Sequence, residues 1–196
     1  MSIELAIVLV GSYLLGSVPF GLVFTKLAGL GDIRDIGSGN IGATNVLRTG
    51  RKDLALATLL LDAGKGAIAV LLTRYLANEW MAVYAGMAAF MGHCFPVYLK
   101  FKGGKGVATF IGTLLAISPV MGAATIGAWL LSALVFRISS LSALIAAVAA
   151  PIINYVLVGG NSWMPIAFMT VMIYYRHQEN ISRILKGEEP KIGKKE

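Results

Sequence analysis

Apolar residues run along the chain in seven long stretches separated by short polar islands. The stretches are about Ile3–Leu27, Leu54–Leu76, Trp80–Leu99, a shared run Val107–Phe136 broken at Ser118-Pro119, Ser140–Val158 and Trp163–Tyr175. Crossing the hydrocarbon core of a bilayer takes about 20 residues of helix. The pattern therefore predicts an all-α integral membrane protein with seven transmembrane helices. Gly and Pro inside these stretches do not veto helices, because neighbouring helices can re-satisfy the backbone. The run Val107–Phe136 is short for two full crossings at about 1.5 Å per residue. Two short helices meeting near Pro119, tilted or only partly crossing, are expected there; one kinked helix is the competing reading. The run from Ile3 has no basic segment before it and is too long for a signal-peptide core, so it is expected to remain as the first helix. No internal repeat or low-complexity segment breaks the pattern. The chain reads as a single domain over 1–196, with a polar tail, 186–196, expected to fray.

Composition supports the membrane reading. The 196 residues are 57% hydrophobic and 14% charged, against 45–50% and about 25% in soluble domains. An ordinary water-soluble domain and a disordered chain are both excluded, and the spans use up the length, leaving no separate soluble domain. The net charge of +7 reads as topology rather than nucleic-acid binding. Lys26, Arg34, Arg48, Arg51 and Lys52 follow the first stretch. Lys100, Lys102 and Lys105 follow the third, and Arg137 the fifth. Arg176, Arg183, Lys186, Lys191, Lys194 and Lys195 follow the seventh. Only Arg74 falls on the other side. This sorting predicts an outside N-terminus and a cytoplasmic C-terminus. A single cysteine, Cys94, excludes an intramolecular disulfide and a Cys-based zinc cluster. With two histidines and no carboxylate cluster, neither metal nor cofactor is expected.

Three polar islands carry the candidate chemistry, all on the side assigned to the cytoplasm. The first is Gly37-Ser38-Gly39-Asn40-Ile41-Gly42-Ala43-Thr44-Asn45-Val46-Leu47-Arg48. Its small residues let backbone approach a ligand closely. Ser38, Asn40, Thr44 and Asn45 supply hydroxyls and amides, and Arg48 a fork suited to phosphate oxygens. A flexible linker with a helix cap at Asn40 or Thr44 is the alternative. The second is Phe101-Lys102-Gly103-Gly104-Lys105-Gly106-Val107-Ala108-Thr109, leading into a helix. Amides at a helix start plus two lysines suit an anion; a basic turn facing anionic lipid is the alternative. It is not a nucleotide-binding P-loop, since Gly106 stands where that motif needs Ser or Thr. The third runs from Arg176 to Arg183. Here His177 and Asn180 share a face if the helix continues, and Glu179 is placed to pair with Arg183; taken alone, the segment reads first as a solvated helix end.

Asp62 and Lys65 lie inside the second apolar stretch at i, i+3. Charges at that depth are costly and face a polar interior, so a mutual structural ion pair is expected, with a direct catalytic role as the alternative. His93, before Cys94-Phe95-Pro96, reads first as a hydrogen-bonded structural residue. The islands hold many phosphate-type donors and few bases. That balance implies a phosphate-bearing substrate handled at the cytoplasmic interface.

In these two loops, together with His93-Cys94-Phe95-Pro96-Val97, Asp62 with Lys65-Gly66, and His177 with Asn180, the chain resembles the bacterial acyl-phosphate:glycerol-3-phosphate acyltransferases, the PlsY family. The likeness runs from first helix to tail. It implies a monomeric enzyme of the bacterial inner membrane with its active site on the cytoplasmic side. Such an enzyme moves an acyl group from acyl phosphate to the 1-hydroxyl of sn-glycerol 3-phosphate. Its products are lysophosphatidic acid and phosphate, and its partners are these small molecules and the lipid bilayer, with no nucleic acid. On this resemblance Ser38, Arg48, Lys105 and His177 act on the reacting groups. Asn40, Thr44, Asn45, Lys102, Gly103, Gly104, Gly106, Thr109 and Asn180 bind substrate, and Asp62, Lys65, His93 and Glu179 support them. The proton acceptor is a substrate phosphate or His177. The rival from the residues alone is a transporter or flippase for a phosphorylated metabolite or lipid. That rival predicts polar groups near the midplane and often inverted repeats.

Overall fold

The computed structural model describes residues 2–160 and 162–193; Lys194 and Lys195, counted above with the basic tail, lie outside them. The chain forms two compact units, Met1–Ile117 and Ser118–Glu196. The division falls at the break expected near Pro119. Helix is the only extended secondary structure among the described residues.

In the first unit, α1 (Ile3–Gly16) and α2 (Phe20–Leu27) replace the single helix expected over Ile3–Leu27. Pro19 causes the interruption, because it offers no amide and disfavours helical backbone in the residue before it. A folded segment containing the short helix α3 (Ala43–Val46) leads to α4 (Lys52–Leu76), the 25-residue axis of the unit. α5 (Glu79–Cys94) returns alongside it. It stops five residues short of the expected end at Leu99, again ahead of a proline, Pro96. α6 (Val107–Ile117) has only 11 residues.

α6 runs parallel to the second half of α4. Gly66 of α4 meets the Thr109 carbonyl, and Arg74 donates to the carbonyls of Ala116 (2.7 Å) and Ile117 (3.1 Å). Arg74, the one basic residue on the unexpected side, thus closes the end of α6 while pairing with Glu79. Asp62 lies ten residues along α4 from Lys52, about 15 Å at the helical rise. Thr109 in the first turn of α6 bonds Asp62, so the end of the second island that leads into α6 is buried at that point along α4, while Phe101 and Lys102 at its start are exposed.

The second unit comprises α7 (Pro119–Phe136), α8 (Ser139–Ile153), α9 (Trp163–Arg176) and α10 (Gln178–Leu185). α8 contains Pro151 and widens into a π-type turn over Asn154–Val158 before the chain leaves the helix. The tail does not fray over its described part. The Ile192 amide donates to the Arg137 carbonyl at 2.7 Å, and Glu189 is tied to α8 and α10.

Large apolar side chains face outward. Leu56, Leu60, Leu71 and Leu72 of α4 and Leu131, Leu134 and Val135 of α7 are all more than half exposed. Small residues make up much of the interior; α5 buries Ala82, Ala85, Gly86, Ala88, Ala89 and Gly92 beside Val83 and Phe90. This distribution suits a lipid solvent, where helices associate by close packing of small residues. A Cβ added at Gly16 would overlap the Ala89 carbonyl, at Gly92 that of Tyr13, and at Gly112 that of Ala63. Among the described residues, five segments are long and apolar enough to cross a membrane: Ile3–Leu27, Lys52–Leu76, Glu79–Leu99, Pro119–Phe136 and Ser139–Val158.

These contacts generate a paired prediction. Gly112→Ala is expected to destabilise the detergent-purified protein by about 1–3 kcal/mol through overpacking. Gly127→Ala, where an added Cβ meets open space, is expected to leave the melting temperature unchanged.

Candidate active site

The first island is a folded cap, not a flexible linker. Ile33, Ile41 and Val46 are buried against Leu22 of α2 and Ala55 of α4, with Leu54 and Leu99 packed on the cluster. A Cβ at Gly21 would overlap the Ile41 carbonyl, so the segment lies directly on α2. Asn45, only 1% exposed, staples the loop from inside. Its amide nitrogen donates to the Ile33 and Ile36 carbonyls at 2.9 Å each, and its oxygen accepts from the Ser38 amide (3.3 Å) and the Arg48 guanidinium (3.4 Å). Asn45 was expected to bind substrate; burial and these four bonds make it the brace that shapes the loop. Gly37 has φ +55°, and a Cβ there would overlap Arg48. That position therefore needs glycine both for its backbone conformation and for the arginine lying across it. Ser38, Thr44 and Arg48 are exposed on this frame and Asn40 is half-buried. At the loop's entrance, Arg34 donates to Asp32 and holds its carboxyl well below the usual carboxylate range.

The second island folds back onto the end of α5. The Gly103 amide donates to the Cys94 carbonyl (3.2 Å) and the Gly104 amide to the His93 carbonyl (3.1 Å). A Cβ at Gly104 would overlap Nε2 of His93, and one at Gly106, where φ is +83°, would overlap the Phe90 ring. These glycines are required by close approach. Lys102 is exposed and Lys105 half-buried. Thr109 departs from expectation. It is fully buried, and its hydroxyl donates to the Asp62 carbonyl at 2.8 Å, so it braces the loop from below.

Beneath both loops lies a buried charged group. Nζ of Lys65 stands 2.8 Å from Oδ1 of Asp62, forming the expected pair, and donates to the Val18 carbonyl at 3.0 Å. That carbonyl belongs to the break between α1 and α2, where the helical ladder cannot use it. Nδ1 of His93 stands 3.6 Å from the same Asp62 oxygen. All three residues are at most 4% exposed.

In the second unit, His177 is the joint between α9 and α10, so the helix does not continue unbroken through it. Its ring, 2% exposed, holds Nδ1 at 2.7 Å from the Ile173 carbonyl. A carbonyl only accepts, so Nδ1 carries the proton and Nε2 is the atom that can exchange one. Asn180 is buried and donates to Glu189. Glu179 is exposed and stands 4.0 Å from Arg183, whose Nε bonds Glu189 at 2.7 Å instead. Sequence reading missed Glu189. It sits in a polar tail with no periodic signal, and its partners Ser140, Asn180 and Arg183 come from two helices.

The family model described as glycerol-3-phosphate acyltransferase matches residues 6–187. The chain belongs to this family. A glycerol-3-phosphate acyltransferase of Paramagnetospirillum magneticum is 63% identical over 193 residues, spanning 98% of this chain and 96% of its own. One of Caulobacter vibrioides is 61% identical over 196 residues, spanning 98% and 90%. Two crystal structures of PlsY (YgiH), an integral membrane glycerol 3-phosphate acyltransferase, share the fold. The glycerol 3-phosphate form superposes with a TM-score of 0.92 at 37% identity, covering 97% of this chain and 96% of that one. The lysophosphatidic acid form gives 0.90 at 36%. This acyltransferase chain is thus an all-helical integral membrane protein of the PlsY type, as its loops led one to expect.

Glu189 yields a pH-dependent prediction. Burial raises its carboxyl, but bonds from Ser140, Asn180 and Arg183 outweigh burial and hold it below the ordinary 4.5. A carboxylate depressed in the folded state stabilises fully above its unfolded value, and that contribution is lost as pH falls through the folded value. Glu189→Gln is therefore expected to lower the melting temperature at pH 7, by an amount equivalent to about 1–3 kcal/mol for charged hydrogen bonds. The gap from the unsubstituted protein should narrow on acidification below 4.5. A gap independent of pH would show that Glu189 acts without its charge.

Proposed function

We propose that the protein transfers an acyl group from acyl phosphate to the 1-hydroxyl of sn-glycerol 3-phosphate, releasing lysophosphatidic acid and inorganic phosphate. The observation that carries this reading is the match, over nearly the whole chain, to a PlsY solved in its glycerol 3-phosphate form. The two loops suit such substrates. Each presents cationic side chains on a glycine-built backbone, Arg48 in the first and Lys102 and Lys105 in the second. Both substrates are anions, and cationic groups offset their repulsion.

The hydroxyl oxygen attacks the acyl carbonyl carbon, an ester bond forms, and the bond from that carbon to the phosphate oxygen breaks. Phosphate is already a good leaving group, so no acyl-enzyme is required. Ser38, exposed on a stapled loop, serves as a hydrogen-bond donor to the acyl phosphate instead of a nucleophile. The hydroxyl proton passes to a substrate phosphate oxygen, and the protein contributes positioning and electrostatic stabilisation. A second reading, in which Nε2 of His177 takes the proton, draws on the tautomer set by the Ile173 carbonyl. Asn40 and Thr44 complete the polar surface of the first loop, and Asn180 supports His177 from the second unit.

Seven membrane-embedded segments, with α6 and α9 the short ones, accord with the basic residues clustering at one set of helix ends. On that reading the N-terminus is outside, the C-terminus and active site are cytoplasmic, the host membrane is the bacterial inner membrane, and the enzyme acts as a monomer.

The test is phosphate release by the purified protein in lipid, given palmitoyl phosphate with or without glycerol 3-phosphate, with palmitoyl-CoA replacing the donor in parallel. Release that needs the acceptor, with lysophosphatidic acid formed and no product from the CoA sample, is the expected result. No release from folded protein would return the transporter reading to the front. His177→Gln is expected to keep measurable turnover at high pH with weakened substrate binding. Loss of turnover at every pH, with binding intact, would make His177 the base.

A further inference from the structure

The chain on either side of Lys105 is tied to one residue. Before it, Gly104 hangs from the His93 carbonyl at 3.1 Å and lies against the His93 ring, which faces the Asp62 carboxylate at 3.6 Å. After it, Thr109 in the first turn of α6 donates its hydroxyl to the Asp62 carbonyl at 2.8 Å. Asp62 itself is anchored by Lys65, which reaches on to the Val18 carbonyl. Three residues beyond Val18, Gly21 supports the first loop at Ile41.

We propose that Asp62 is a positioning residue for Lys105, holding His93 under Gly104 with its carboxylate and Thr109 with its carbonyl, so that both flanks of the lysine are set from one point on α4. A plain stabilising role is a poorer account of the same geometry. Buried ion pairs contribute little net stability, and apolar replacements of both partners are often neutral or better. A pair kept in a lipid-facing bundle, with its other bonds directed at two loop supports, places its value in geometry.

This inference rests on the reading of Lys105 as a substrate-handling group, and its test separates the two. Thr109→Val removes the hydroxyl and keeps the shape; Thr109→Ser keeps the hydroxyl. Asp62→Asn tests the hub directly but leaves Lys65 buried without its counter-charge, so the Thr109 pair keeps the test informative if Asp62→Asn fails to fold. The first readout is hydrogen exchange of the 103–106 amides in the lipid-embedded protein. Faster exchange in Thr109→Val than in Thr109→Ser, at equal melting temperature, is expected; equal exchange overturns the proposal whether or not the protein transfers acyl groups. The second readout is acyl transfer. Thr109→Val should lower kcat/KM for glycerol 3-phosphate by about 10- to 100-fold, the scale of a small misplacement, with Thr109→Ser near the unsubstituted rate. On a Lys105→Gln background the same Thr109→Val change should cost nothing further, because coupled residues are non-additive. A full loss on that background would show that Thr109 acts elsewhere. An unsubstituted protein with no transfer activity would overturn the proposed function, leaving hydrogen exchange to decide on Asp62.

Discussion

Inside a bilayer no water is available to satisfy a backbone carbonyl, and each orphan costs several kcal/mol. Every interrupted helix in this protein must therefore bring its own donor, and that requirement organises the structure. The break at Pro19 frees the Val18 carbonyl, which takes Nζ of Lys65. The end of α5 leaves the Phe95 carbonyl, which takes the Tyr13 hydroxyl at 2.6 Å. Arg74 closes α6 at Ala116 and Ile117. The end of α9 offers the Ile173 carbonyl to the His177 ring. The polar and charged side chains that stand out in an apolar sequence are, in large part, the caps of its helix ends.

These caps also shape the site. The glycines at 37, 103, 104 and 106 let side chains lie close against the backbone of the two loops. Lys65 both closes a helix break and neutralises Asp62. His177 both closes a helix end and, through that bond, presents Nε2. Such double use lets a chain with few ionisable groups satisfy its helix ends and its buried charges with the same side chains.

Some of this was legible in the residues. The seven apolar stretches, the break at Ser118-Pro119, the Asp62–Lys65 pair and the two glycine loops all follow from local pattern, because hydrophobic runs, proline and i, i+3 spacing act over a few residues. The family likewise follows from motifs read in order. Other features were not legible. The prolines at 19 and 96 ended helices that lipid-facing sequence alone allows to continue, since neighbouring helices decide whether a freed carbonyl is tolerated. Asn45 and Thr109 look like ligand contacts in a polar loop, and only burial turned them inward. Glu189 looked like part of a loose tail until three partners from two helices gathered around it.

The sequence by itself determined the solvent, the helical class, the order of the spans and the chemical character of the loops, for these depend on composition and short-range spacing. Tertiary structure alone decided how the second loop folds against α5 and α6, which polar residues of the loops are buried and which exposed, and the partners of the buried charges. Those partners lie 47 residues apart for Lys65 and Val18 and 82 apart for Tyr13 and Phe95. No local pattern encodes such pairings; they arise when small residues let helices pack closely enough for a donor on one to meet an orphaned carbonyl on another.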